Sequence, residues 1–284
     1  MTKTLRSVAA TLTPDRWGRR LLLAAGGWAV VAGLSGCAGG AGAPSAAAAS
    51  SEPVTESDEP EARKRARIRL ELASNYFENG QTTVALDEIK QSLVADPSYP
   101  SAYVLRGLVY MRMNETGLAE DSFRRALQLN PRDADALHNY GWFACQQGRH
   151  VEAIGFFQRA LASPVYGGQA KTLMAKGICQ TRIGQFSEAE GSFSRSYELD
   201  AANPITGYNL ASLLYRRGEY TRAQFYIRRL NNSELANAET LWLGIKVERR
   251  LNNTEATEQL AQQLSRRYPK SREWTAYQRG AFDE

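Results

Sequence analysis

The sequence is poor in the residues that most enzymes and metal sites require. Among 284 residues there are two histidines, His138 and His150, and three cysteines. Neither histidine stands at metal-ligand spacing from a cysteine, and the motifs GxxxxGK(S/T), HExxH, GxSxG and GxGxxG are absent. The acidic residues are scattered at helix-surface spacing, without a pair that stands out as catalytic. The sequence therefore predicts a protein that is not an enzyme and has no metal, no non-covalent cofactor and no small-molecule substrate.

The sequence also lacks an excess of positive charge outside its N-terminus. Residues 1–36 contain five of the 35 lysines and arginines and one of the 30 acidic residues, which leaves 30 bases and 29 acids. A near-neutral chain has no basic face of the kind that binds nucleic acid, so a nucleic-acid partner is not expected. One basic cluster remains, Arg63 to Arg67, and we interpret it as a solvated helix face or a contact with anionic lipid headgroups.

Residues 1–36 are predicted to be an export signal. Basic residues up to Arg20 precede an apolar run from Leu21 to Gly36, which has 16 residues. A membrane-spanning helix needs about 20 apolar residues, so a cleaved signal fits better than a single-pass anchor. Leu34-Ser35-Gly36-Cys37 resembles the bacterial lipobox, which implies that Cys37 carries a covalent lipid. The alternative is an ordinary signal peptide followed by a chance cysteine.

The residue after Cys37 and the following segment extend this hypothesis. By resemblance to lipoprotein sorting, Ala38 in place of an aspartate favours the outer membrane, with the protein facing the periplasm. Residues 37–62 are rich in alanine, glycine, serine and proline and contain no aromatic residue. Such a segment cannot bury a core, so we predict a lipidated cysteine followed by a flexible tether.

From residue 63 onward the sequence repeats with a period near 34. Each unit pairs two amphipathic helices, with a small residue where the helices approach each other and a bulky apolar residue sixteen positions later. The small residues are Ala73, Gly107, Gly141, Gly177, Ala211 and Gly244. The bulky residues are Ile89, Phe123, Phe157, Phe193, Ile227 and Leu260. Repeats of this length indicate a solenoid, in which each unit packs on its neighbours.

This pattern resembles the tetratricopeptide repeat (TPR), including Gly107-Leu108-Val109-Tyr110 and the series Ala119, Phe123, Ala126 and Pro131. The resemblance implies an all-α, right-handed superhelical solenoid. We predict six repeats over residues 63–270, at about 66–99, 100–133, 134–169, 170–203, 204–236 and 237–270. Residues 271–284, with Trp274 and Tyr277, are predicted to form a C-terminal cap.

In this family the first helix of each unit lines the concave surface, where partner segments bind. Residues at spacing i, i+4 and i+7 on these helices form an apolar stripe, and an exposed apolar patch usually marks an interaction site. The predicted groove consists of Leu70, Ser74, Phe77, Val104, Leu108, Met111, His138, Trp142, Met174 and Ile178. The same positions in units five and six hold Tyr208, Ser212, Tyr215, Leu241, Ile245 and Glu248. Alternatively, several of these side chains simply pack against neighbouring helices.

Two cysteines lie in the first helices of adjacent units, Cys145 and Cys179, 34 residues apart. The periplasm permits a disulfide between them. Buried free thiols are commoner for cysteines on apolar helix faces, and we therefore expect free thiols.

The combination of lipobox, tether and six repeats resembles the type IV pilus biogenesis and stability lipoproteins, the secretin pilotins. Local sequence that carries the resemblance is Ala73-Ser74-Asn75-Tyr76-Phe77, Leu127-Gln128-Leu129-Asn130-Pro131 and Asn139-Tyr140-Gly141-Trp142-Phe143-Ala144-Cys145. The resemblance implies that the protein binds secretin subunits or another pilus-assembly protein, escorts them to the outer membrane and promotes their multimerisation. The alternative function is a non-catalytic TPR scaffold for another envelope machine, such as a murein hydrolase complex or the porin-assembly machinery. An envelope enzyme with appended repeats is disfavoured, because the repeats leave no room for a catalytic domain.

Overall fold

The structure is a computed structural model that describes residues 58–282. Within this range it contains thirteen α-helices and no strand. The helices are α1 (Glu61–Glu78), α2 (Thr82–Ala95), α3 (Pro100–Arg112), α4 (Thr116–Leu129), α5 (Ala134–Gln146), α6 (His150–Leu161), α7 (Gln169–Arg182), α8 (Phe186–Leu199), α9 (Pro204–Arg216), α10 (Tyr220–Asn231), α11 (Ala238–Arg250), α12 (Thr254–Arg267) and α13 (Arg272–Arg279). The predicted signal segment, Cys37 and most of the predicted tether lie outside the described residues. None of the described helices is long and apolar enough to cross a membrane.

The helices are arranged as six sequential pairs, followed by α13. Each odd-numbered helix up to α11 packs against the helix that follows it, and successive odd-numbered helices also contact each other from α1 to α11. The described residues 58–282 belong to one compact unit. The all-helical repeat that the 34-residue period predicts is therefore confirmed.

Within a pair, close approach of the two helices depends on glycine. A Cβ atom added to Gly107 on α3 would lie 2.6 Å from Cε1 of Phe123 on α4. The equivalent contact from Gly177 to Phe193 would be 2.7 Å, and both phenylalanines are almost completely buried. In units two to four the glycine and the phenylalanine are thus two halves of one contact, and the aromatic ring occupies the space that a side chain would need.

The turns inside the pairs use left-handed backbone conformations. Gly80, Gly148, Gly184 and Gly218 have φ between 76° and 79°, a conformation that glycine adopts without steric strain. Units two and six have asparagine instead: Asn114 has φ of 61° and Asn252 has φ of 57°. Asparagine tolerates this conformation better than other side chains with a Cβ atom, so all six units make the same turn.

The last pair is covered by α13. Trp274 and Tyr277 pack with the buried residues Leu241 and Ile245 of α11, which confirms a final helix over the end of the solenoid. The stripe does not extend to unit six. Leu241 and Ile245 are fully buried, and Glu248 is 1% exposed, so the prediction that these positions face an open groove is wrong.

Burial of Glu248 is compensated by hydrogen bonds. Its carboxylate accepts from Arg228 Nε at 2.6 Å, Gln224 Nε2 at 2.9 Å and Asn253 Nδ2 at 3.0 Å. A buried carboxylate is tolerated when it is paired and hydrogen-bonded. Glu248 therefore connects α10, α11 and the turn before α12.

The basic cluster predicted at the start of the folded part lies on α1. Arg67 forms ion pairs with Glu59 at 3.2 Å and with Glu71 at 3.0 Å, and Arg63 pairs with Asp96. Two arginines of the cluster, Arg63 and Arg67, are therefore paired with carboxylates of the protein itself.

Candidate partner-binding groove

The ten residues of the predicted groove lie on four first helices that contact one another in sequence. They are carried by α1, α3, α5 and α7, and each of these helices contacts the next. Val104 is buried, with 9% of its surface exposed, and the other nine are half-buried. The structure thus places the stripe on one continuous layer of helices, with part of nearly every side chain accessible to solvent.

The inner part of the stripe packs between repeats. Leu70, Phe77 and Leu108 contact a core cluster that includes the buried Leu105 and Val109. Trp142 and Ile178 similarly pack against the clusters of later units. The packing contacts required by the alternative interpretation are therefore present, while the accessible parts of the same side chains remain available to a partner. Partner binding by these residues stays a prediction.

Arginines frame the apolar stripe at the C-terminal ends of its helices. The guanidinium carbon of Arg112 lies 3.7 Å from the centroid of the Phe77 ring, and Arg112 also donates to the carbonyl oxygen of Phe77. Arg182 donates to the carbonyl oxygen of Cys145 at 3.2 Å. A cation over an aromatic face is favourable. The surface consequently combines apolar area with positive charge, which suits an amphipathic segment that carries carboxylates.

His138 belongs to a network between repeats and does not supply charge to the groove. Its Nδ1 is 2.8 Å from the hydroxyl of Thr172, which in turn is 3.0 Å from the hydroxyl of Tyr166. Burial, reinforced by the positive charge of Lys171 and opposed by Asp135, lowers the pKa of His138 from 6.5 to about 4. The imidazole is therefore neutral at physiological pH and links α5 to α7.

The expectation of free thiols is wrong, because Cys145 and Cys179 form a disulfide. Their Cα atoms are 6.0 Å apart, which is within the usual range of about 4.4–6.8 Å for a bridge. The two cysteines stand at different positions of their units, four residues after Gly141 and two residues after Gly177, on the helices α5 and α7, which contact each other. The bridge covalently joins units three and four.

A histidine lies beside this bridge, which the spacing in the sequence did not indicate. The ligand atoms of Cys145, Cys179 and His150 lie within 4.8 Å of one another, and His150 Nδ1 is buried with no hydrogen-bond partner among the described residues. Metal ligation by cysteine requires the thiolate. Since the sulfur atoms are bonded to each other, this group does not offer a metal site in the disulfide state.

Comparison with known proteins agrees with the fold. The tetratricopeptide repeat matches residues 104–166. The chain is 28% identical over 209 residues to the type IV pilus assembly protein PilF of Pseudomonas aeruginosa, spanning 74% of this chain and 83% of PilF. It is also similar to a solved TPR protein described as having an unusual peptide-binding site, YrrB, with a TM-score of 0.55 at 15% identity; this likeness concerns the fold alone.

Two solved structures extend the likeness to most of the chain. The crystal structure of PilW, described as a widely conserved type IV pilus biogenesis factor, has 30% identity and a TM-score of 0.69, covering 75% of this chain and 97% of PilW. The structure of Pseudomonas aeruginosa PilF has 26% identity and a TM-score of 0.72, covering 78% of this chain and 100% of PilF. The predicted TPR solenoid is confirmed, and the chain belongs to the tetratricopeptide-repeat proteins, as a relative of the type IV pilus biogenesis factors PilF and PilW.

Proposed function

We propose that this protein is a non-catalytic scaffold for type IV pilus assembly that binds a pilus-assembly protein in the groove of its first four units. The observation that carries the proposal is the stripe of half-buried apolar side chains on α1, α3, α5 and α7. Its relation to PilF and PilW supplies the pilus context. Tetratricopeptide repeats typically serve as scaffolds that bind other proteins. The groove is lined mainly by apolar side chains, which suits such binding.

The groove suits a partner segment that is apolar on one side and acidic on the other. Phe77, Leu108 and Trp142 offer apolar area, and Arg112 lies over one of the rings. An amphipathic helix or an extended peptide can bury its apolar side chains on such a surface. Because the interior-facing part of each side chain is already packed, the groove is preformed and loses little conformational entropy on binding.

The finer proposal is that the protein is a lipid-anchored pilotin and that its partner is the pilus secretin. Cys37 would carry the covalent lipid and hold the repeats at the periplasmic face of the outer membrane. A secretin subunit bound in the groove would then be concentrated at the membrane where the ring assembles, which favours multimerisation by mass action. The lipobox resemblance and the predicted export signal support this step.

A deletion strain tests the cellular function. Outer-membrane fractions are probed for heat-stable secretin multimers after complementation with wild-type protein or with Cys37→Ala. We expect the multimers to disappear in the deletion, to return with wild type, and to be lost or found in the wrong membrane with Cys37→Ala. Unchanged, correctly located multimers in the deletion strain would exclude the pilotin function and leave a TPR scaffold for another envelope machine.

A matched set of variants tests the groove. Leu108→Lys and Trp142→Glu place charges on the stripe, and Val151→Glu places one on α6, where Val151 is 78% exposed. We expect the two groove variants to lose capture of the secretin while the control retains it, with all three variants keeping wild-type helicity. Equal capture by all three variants would move the binding surface away from the groove.

A further inference from the structure

A second candidate site lies between units four and five, away from the groove. It is a cavity of about 240 Å³ lined by the end of α8, the start of α9, α10 and the loops that follow α8 and α10. Residues important for its chemistry are Tyr197, Gly207, Tyr226, Arg229 and Leu235. None of them belongs to the apolar stripe, so the cavity is a separate feature of the solenoid.

One tyrosine that lines the cavity, Tyr197, has a buried hydroxyl whose hydrogen-bonding capacity is unused. Within the described part of the chain, the hydroxyl oxygen of Tyr197 is buried and has no hydrogen-bond partner. The Tyr197 ring meets the edge of Tyr226 at 5.0 Å between centroids, and the guanidinium of Arg229 lies 5.8 Å from its centroid. Because buried hydroxyls are normally paired, an acceptor brought in by a ligand would satisfy this one.

The mouth of the cavity carries a positive charge without an ion pair. Arg222 and Arg228 on the same helix pair with Glu190 and Glu248, at 2.7 Å and 2.6 Å. Arg229 has no ion pair among the residues that the structure describes. Its guanidinium is therefore free to bind a carboxylate from outside the protein.

Two large exposed apolar side chains lie at the cavity or beside one of its lining residues. Leu235 is 52% exposed at the cavity, and Phe225 is 60% exposed and packs edge-on against Tyr226 at 5.1 Å between centroids. Exposed apolar groups clustered around a cavity are typical of an interaction site. Aromatic and arginine side chains together are also the residues most enriched where proteins bind each other tightly.

We propose that this cavity is a second docking site, which binds a protein segment carrying a leucine- or phenylalanine-sized side chain next to an acidic residue. The apolar side chain fills the cavity, and the carboxylate binds Arg229. Charge complementarity favours this occupant over a neutral or basic one. With one docking site on first helices and another formed largely by second helices, the scaffold can hold two segments at once.

Short peptides test the proposed chemistry directly. The probes are acetyl-Ala-Asp-Phe-Ala-amide and its analogue with asparagine in place of aspartate, titrated into ¹⁵N-labelled protein from residue 38 onward, which includes the compact unit Val54–Glu284. We expect saturable shifts at the backbone amides of Gly207 and Ser233. The aspartate peptide should bind about three- to fivefold more tightly, as an accessible ion pair allows.

Variants separate binding in the cavity from loss of the fold. A Cβ atom at Gly207 would meet only Cε2 of Tyr197, at 3.9 Å, so Gly207→Leu can fill the cavity without a backbone clash. Gly155→Leu on α6 is the control, because nothing lies within 4 Å of a Cβ atom there. We expect Gly207→Leu to abolish the shifts, Arg229→Gln to remove the preference for aspartate, and Gly155→Leu to bind as wild type. Melting temperatures of all variants verify folding.

Several results would overturn the proposal. Absence of saturable shifts, or unchanged binding by a folded Gly207→Leu protein, would show that the cavity does not bind such peptides. Shifts of the same amides that depend on protein concentration without any probe would identify a second copy of the chain as the occupant. Shifts produced only by phosphatidylglycerol vesicles would identify a lipid surface. Secretin capture in the groove is measured separately, so the two proposals fail independently.

Discussion

Replacement of His138 should reduce the sensitivity of the fold to mild acid. In the folded protein the pKa of His138 is about 4, against 6.5 for an ordinary histidine. Between these values the unfolded chain binds a proton that the folded protein does not bind, so the free energy of unfolding falls as the pH falls. The groups that face the ring are Lys171, which opposes protonation, and Asp135, which favours it, and burial outweighs both.

The size of the effect follows from the two pKa values. The full difference of the two values corresponds to about 3 kcal/mol, reached only below pH 4. At pH 7 the contribution is small, because both states are then mostly neutral. Between pH 7 and pH 5 the His138 contribution should lower the free energy of unfolding by about 2 kcal/mol.

Urea unfolding followed by circular dichroism measures the contribution of His138. The change in the free energy of unfolding between pH 7 and pH 5 is determined for wild type and for the variant, and the two changes are compared. Wild type and His138→Gln are unfolded at pH 7 and pH 5 at constant ionic strength, with His150→Gln as the control for the other histidine. The carboxylates titrate alike in all three proteins, so their contribution to the acid-induced loss of stability cancels when the proteins are compared. We expect the acid-induced loss to be smaller in His138→Gln by about 2 kcal/mol. Equal losses in wild type and His138→Gln would refute the neutral, buried state of this imidazole.

Three further changes test the packing. Gly107→Ala should destabilise the fold by roughly 1–3 kcal/mol because its Cβ would lie 2.6 Å from an aromatic ring, whereas Gly155→Ala, with open space around it, should be neutral or slightly stabilising in thermal melts. Replacing both Cys145 and Cys179 with serine should lower stability by about 2–4 kcal/mol, and chemical reduction of wild type should reproduce that loss. Glu248→Ala should cost about 3 kcal/mol in urea unfolding, because it removes the acceptor of several hydrogen bonds; a cost below 1 kcal/mol would contradict its role.

Periodic features were predictable from the sequence, because each recurs along the chain with the same physical cause. The small residue and the ring that fills its space, as in Gly107 and Phe123, mark the helix pairs, and turn glycines mark four of the six internal turns. Asn114 gives no comparable signal in the sequence, since asparagine adopts the left-handed conformation only where the surrounding chain imposes it.

Features that depend on a single contact between repeats were harder to predict. The disulfide requires the side chains of Cys145 and Cys179 to point at each other, and the repeat does not predict this contact because the two cysteines stand at different positions of their units. The burial of Glu248 depends on partners on α10 and on the turn before α12, and a glutamate at a stripe position is expected to face solvent from sequence alone. Likewise, the cavity at Tyr197 arises where two loops meet, and no periodic pattern encodes it.

The disulfide between α5 and α7 limits the length to which this solenoid can be stretched under mechanical load. A repeat protein under tension can unravel from an end, one unit after another, because each unit is held mainly by its neighbours. The bridge closes a loop over a sequence separation of 34 residues, so the chain between the cysteines cannot lengthen while the bond is intact. The chain enclosed by the bridge would add roughly 110 Å to the length of the fully stretched protein if the bond were broken. A force–extension curve of the oxidised protein should therefore end that much shorter than the curve of the reduced protein.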